Sequence, residues 1–192
     1  MNSAALQGLA PPGSNVPTLV TTYTGKHLNF LEPDLADIDI EDIAHALAAC
    51  CRYNGHTRHF YSVAQHSVLM SREAHPDIAL EVLMHDAAEA YIGDIATPLK
   101  QMMPVYQTIE KIVANAIDRK FGIDTSEPIT HDNIKYIDWR MMATEVRALM
   151  PSNCDWTVLE GLDEYPIEIV PWTPAEAKYE FLLTFEDYWR NR

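Results

Sequence analysis

Apolar residues recur at three- and four-residue spacing over most of this chain, which is the pattern of helices with one buried face. From Asp39 to Tyr53, the residues Ile40, Ile43, Ala44, Leu47, Ala48 and Cys51 share a face behind an acidic first turn. Asn54-Gly55 is the expected stop. Ser62 opens a second helix, with Gln65 three residues on as a capping box, and His75-Pro76 ends it. A third helix is expected from Asp77 to Tyr91, closing near Gly93. Thr97-Pro98, a cap followed by proline at the first helical position, starts a fourth that reaches about Phe121 before Gly122. Thr130 caps a fifth to about Met150, and Thr173-Pro174-Ala175-Glu176 opens a last one to about Trp189.

Elsewhere the pattern is β-prone. Thr18 to Thr22 and Lys26 to Phe30 flank Thr24-Gly25 and predict a short hairpin. Ile167 to Val170, within an otherwise irregular stretch from Trp156, is expected to pair with that hairpin. The expected fold is mainly α, a helical bundle with a small β appendage. No repeat, low-complexity segment or linker divides it, so residues 17–192 are expected to form a single domain. Residues 1–16 are small, polar and Pro/Gly-containing, with neither a basic n-region nor a continuous apolar h-region. They are expected to form a poorly ordered arm.

Charge narrows the function. The net charge of −14 argues against a nucleic-acid or anionic-membrane partner, while leaving a small anionic substrate open. No apolar run approaches the ~18 residues that cross a bilayer. Cys50, Cys51 and Cys154 are odd in number and contain no CxxC spacing. They predict reduced thiols in a cytoplasmic setting and exclude a cysteine-rich zinc site.

The candidate chemistry lies in His85-Asp86-Ala87-Ala88-Glu89, a polar pair in an apolar helix. Glu89 is one turn from His85 and shares its face. His66 sits near the inward side of Val63 and Met70, and Asp138 lies among Ile134, Ile137, Met141 and Met142. Two imidazoles and two carboxylates on faces that pattern as buried form a nitrogen/oxygen ligand set for a divalent ion. The competing explanation is a hydrogen-bonded core network, which accounts for most buried polar groups. His27, His45, His59, His75 and His131 take the ordinary structural or solvent-facing reading.

Spaced His, His-Asp and Asp on helices resembles the HD superfamily of metal-dependent phosphohydrolases. The segments Arg52-Tyr53-Asn54-Gly55-His56, Tyr61-Ser62-Val63-Ala64-Gln65-His66-Ser67, His85 to Glu89 and Gly93-Asp94-Ile95-Ala96-Thr97-Pro98-Leu99-Lys100 look like the branch of bacterial 5′-deoxynucleotidases and phage dATP triphosphohydrolases. The resemblance covers roughly Tyr23 to Leu149. It implies an HD-type bundle with His66, His85, Asp86 and Asp138 as metal ligands. Glu89 and Asp94 would be the groups acting on the attacking water or phosphate. Arg52 and Tyr53 would face sugar, phosphate and base, although the branch usually carries Trp where this chain has Tyr53. Phosphate-contacting lysines fall on Lys100 and Lys135. The residues agree in two respects: Lys135 is one turn before Asp138, and Lys100 follows Thr97-Pro98 in a first turn whose N–H groups favour an anion.

The implied cofactor is a divalent metal ion such as Zn, Co, Mn or Mg, which would acidify water and polarise a phosphoryl oxygen. The implied activity is deoxynucleotide hydrolysis. Lys100 and Lys135 beside Arg52 lean it towards a triphosphate, with dATP hydrolysed to deoxynucleoside and triphosphate. The alternatives are a 5′-deoxynucleotidase acting on dNMPs and a non-catalytic nucleotide-binding sensor. Relatives in that branch imply a homo-oligomer in the cytoplasm, or in a host's cytoplasm if phage-encoded.

Overall fold

The computed structural model describes residues 18–153 and 155–192, and the expected N-terminal arm lies outside the described residues. The chain is mainly helical with a small antiparallel sheet at its start. Strands β1 (Leu19–Thr21) and β2 (His27–Asn29) pair Val20 with Leu28. The hairpin is held to the bundle because Thr24 donates its N–H and its hydroxyl to the two oxygens of buried Asp42, at 2.6 and 2.9 Å. Among the described residues, no helix is long and apolar enough to cross a membrane.

Helix α1 (Ile40–Ala49) starts where the pattern places it, with Asp39 accepting from the Glu41 N–H. It ends four residues before Tyr53, and the reason is tertiary. Cys51 bridges antiparallel to Ser62, the Arg52 N–H donates to Tyr61, and the Val63 N–H donates to Cys50. That pairing draws the chain out of the helix into a 3-10 turn, Arg52–Gly55.

Helix α2 (Val63–Arg72) begins at Ser62, whose hydroxyl accepts from the Gln65 N–H. The capping box is only half formed. The Gln65 amide instead donates to the Val170 carbonyl and accepts from the Trp172 N–H. This corrects the expected pairing of Ile167 to Val170 with the hairpin, since that segment docks on α2.

The expected third helix is broken. After a 3-10 turn at Pro76–Ile78 come α3 (Ala79–Met84), a turn over His85 to Ala88, and α4 (Glu89–Ile92). The Ala87 N–H reaches back only to Met84, and the Glu89 N–H only to Asp86. This i→i+3 bonding winds the chain more tightly than an α-helix. The expected fourth helix is also two, α5 (Thr97–Lys100) and α6 (Pro104–Phe121). Pro104 disfavours helical backbone at the residue before it, and Met103 sits at φ −119°, ψ 72°. Thr97 is inside α5 rather than its cap, which is Ala96.

Helix α7 (Pro128–Leu149) starts with Glu127, not Thr130, as its cap. Helix α8 (Pro174–Arg190) carries the complete Thr173/Glu176 capping box. The main core gathers Ile43, Leu47, Val68, Leu83, Ile117 and Phe181, with α8 against α1, α2 and α3. A second cluster of Met70, Val82, Ile134, Ile137, Met141 and Tyr165 fastens α7 to α2 and α3. The C-terminal helix is therefore part of the core that sets the relative positions of α1, α2 and α3. Phe181 is fully buried there. Phe181→Ala is expected to lower stability by about 3–5 kcal/mol in denaturant titrations followed by circular dichroism. A change below about 1 kcal/mol would contradict this placement of α8.

Candidate metal centre

Four segments supply the site. The pairing of Cys51 with Ser62 brings the Arg52 turn against the start of α2, and both face the turn at His85 and the middle of α7. His66 and Glu145 are fully buried, and Arg52 is nearly so.

His66, His85 and Asp138 each offer one ligand atom, and those atoms lie within 4.8 Å of one another. His66 Nε2 is 3.3 Å from Asp138 Oδ1. Asp86 Oδ2 lies 3.0 Å from His85 Nε2 and 3.8 Å from His66 Nε2. His85 and Asp86 are neighbours in this turn, and both present their polar atoms to the same cluster. His66, His85 and Asp138 can therefore hold a metal ion, with Asp86 beside them.

The orientation of the two rings supports this. His85 Nδ1 is 2.7 Å from the Val82 carbonyl, which can only accept, so Nδ1 carries the proton. His66 Nδ1 lies 2.5 Å from Glu145 Oε1 and likewise donates. Both Nε2 atoms then point into the cluster, buried and without a hydrogen-bond partner among the described residues. A buried polar atom needs a partner, and a divalent cation satisfies both nitrogens and the adjacent carboxylates. The residues present thus fit such an ion.

Arg52 lies beside this cluster. Its guanidinium is 3.2 Å from Glu145, 3.7 Å from Asp86 and 3.9 Å from Asp138. Burial alone would weaken its charge, but these carboxylates hold it firmly protonated. Burial also opposes charge on His66, and Arg52 adds to that. Glu145 and Asp138 outweigh both, raising its pKa to about 9. Burial would raise the Glu145 carboxyl, but Arg52 and His66 hold it down at about 2.

Glu89 is buried, and one of its oxygens has no partner among the described residues. Desolvation and the charges of Asp86 and Asp94 push its pKa well up, against the pull of Arg52 and Lys100. Asp94 is raised chiefly by burial, with Asp86 adding to it. Glu89 and Asp94 thus sit within electrostatic reach of the cluster. Lys100 does too, but its ammonium is bound at 2.6 Å to Glu110.

Tyr53 is tied to Glu145, whereas Lys135 stands in solvent. The Tyr53 hydroxyl donates to Glu145 at 2.6 Å, and its half-buried ring meets Trp156 edge-on. Lys135 is exposed and makes no ion pair among the described residues, although it precedes Asp138 by one turn of α7. Three participants escaped sequence reading: Glu145, Trp156 and Glu110. Glu145 left a signal, because it stands seven residues after Asp138 and so on the same face of the helix. Trp156 and Glu110 left none.

No protein-family model matches the chain. It is similar to the uncharacterized protein RCAP_rcc00048 of Rhodobacter capsulatus, 38% identical over 115 residues, which span 55% of this chain and 59% of that one. It is also similar to the uncharacterized protein YfdR of Escherichia coli (strain K12), 40% identical over 172 residues. That match spans 88% of this chain and 95% of YfdR, so the chain belongs to the family of YfdR.

Proposed function

We propose that the protein is a divalent-metal-dependent phosphohydrolase acting on deoxynucleotides. The observation that carries this reading is the pair of buried imidazole Nε2 atoms, from His66 and His85, turned towards Asp86 and Asp138 with no hydrogen-bond partner among the described residues. The resemblance of the surrounding segments to HD phosphohydrolases supplies the reaction class. His66, His85, Asp86 and Asp138 would hold the ion, which when bound supplies a Lewis acid and an acidified water.

The remaining groups suit phosphate chemistry. Arg52 is a permanently charged fork at the edge of the ligand cluster, placed to neutralise a phosphoryl oxygen. Glu89 and Asp94, whose carboxyls are raised towards neutrality, can take or give a proton beside the reacting group. The ring of Tyr53, anchored through its hydroxyl, offers a π-face for a base.

The number of phosphates turns on the lysines. A triphosphate needs cations beyond Arg52, and Lys100 is already paired with Glu110. Charge therefore favours a single phosphate, with a 5′-deoxynucleoside monophosphate as substrate. Hydrolysis of dATP to deoxynucleoside and triphosphate is the second reading, supported if Lys100 leaves Glu110 for the substrate.

Protein loaded in turn with Mn, Co, Zn or Mg and incubated with all dNMPs and dNTPs is expected to release inorganic phosphate from dNMPs. Triphosphate released from dATP would select the second reading, and no turnover with any metal would end the hydrolase reading. Asp86→Ala is expected to abolish turnover and weaken metal binding by more than about 100-fold. That exceeds the 10–100-fold typical of outer-shell partners. Wild-type metal content in that variant would remove Asp86 from the ligand set.

A further inference from the structure

Glu145 touches both halves of the site without belonging to the set of four ligands. Its Oε1 accepts from His66 Nδ1 and, at 2.9 Å, from the Tyr61 hydroxyl. Its Oε2 accepts from the Tyr53 hydroxyl at 2.6 Å and faces Arg52 Nη2 at 3.2 Å. A carboxylate has about four lone-pair directions, and four donors from two segments fill them here. One oxygen thus serves the metal side, where His66 stands. The other serves the side where Arg52 and Tyr53 would meet substrate.

We propose that Glu145 is a positioning residue that commits His66 to bind a metal through Nε2 and, through its second oxygen, sets Arg52 and Tyr53 against the same centre. This rests on the metal-site reading of His66, His85, Asp86 and Asp138. The physical basis is that an imidazole can present either nitrogen to an ion, and a carboxylate on Nδ1 removes that choice. His85 achieves the same with the Val82 carbonyl, an uncharged acceptor from its own helix. Only the His66 device extends to the groups proposed for substrate. The backbone agrees: Tyr53 and Asn54 both take left-handed conformations, φ 55° and 51°, which side chains disfavour. The tertiary bonds of this turn, among them that of the Tyr53 hydroxyl to Glu145, must offset that cost.

The deciding measurements are nitrogen-15 spectra of the histidine rings in the zinc-loaded full-length protein, and calorimetric titration of the metal-free protein with Zn and Mn. In the wild type, His66 is expected to carry its proton on Nδ1 and bind zinc through Nε2. Glu145→Gln, folded by circular dichroism, is expected to bind either metal 10–100-fold more weakly. Tyr53→Phe removes only one donor from the far oxygen. It is expected to keep wild-type metal affinity while raising KM for the deoxynucleotide that is turned over.

Zinc bound through Nδ1 of His66, or Glu145→Gln with wild-type metal affinity, would overturn the proposal. So would a wild type that binds no metal. Loss of metal affinity in Tyr53→Phe would overturn the division of labour between the two oxygens. Should Glu145→Gln fail to fold, the wild-type ring spectra decide alone. If His66 binds through Nε2 and no nucleotide is hydrolysed, the positioning role stands and the hydrolase reading falls.

Discussion

A single carboxylate buried away from water sets the terms for this molecule. Taking the charge of Glu145 out of solvent costs several kcal/mol, and only well-placed partners make that tolerable. Arg52 and His66 are those partners, and the hydroxyls of Tyr53 and Tyr61 complete the set. Because the partners come from the Arg52 turn and the start of α2, and Glu145 stands in the last turns of α7, satisfying one buried charge fixes three segments together. The apolar clusters bring these elements near one another. The polar bonds decide which side chains face inward.

The electrostatics around that carboxylate explain why a cation is expected. Asp86, Glu89, Asp94, Asp138 and Glu145 crowd one region in which Arg52 and Lys100 are the countercharges, and Lys100 is shared with Glu110. The excess shows in the groups themselves: Glu89 and Asp94 are pushed towards their neutral forms, and His66 is pushed towards its charged one. A divalent ion relieves all three at once. The acidity of the whole chain has little to do with this, since most of its carboxylates face solvent.

The helices were legible because a buried face leaves a period in the residues, and Thr173 with Glu176 marked a start by their own chemistry. What the period could not show was where neighbours interrupt. The end of α1 depends on Cys51 meeting Ser62, eleven residues away in sequence, and the break at His85 to Ala88 depends on short backbone bonds rather than on composition. Pro104 was legible in principle, since it restricts the residue before it. In the site, His66, His85, Asp86 and Asp138 stood out as polar groups on apolar faces, and the structure brings them together. Glu145 did not stand out, because a glutamate near the end of a helix ordinarily faces water. Lys135 stands one turn from Asp138 but is exposed on α7, and it makes no ion pair among the described residues.

The left-handed pair at Tyr53 and Asn54 ties a backbone cost to that buried charge. For Tyr53 that conformation costs roughly 1–2 kcal/mol, whereas asparagine adopts it more readily. The bond of the Tyr53 hydroxyl to Glu145 offsets that cost, so a side chain on an unfavourable backbone helps to settle a buried charge.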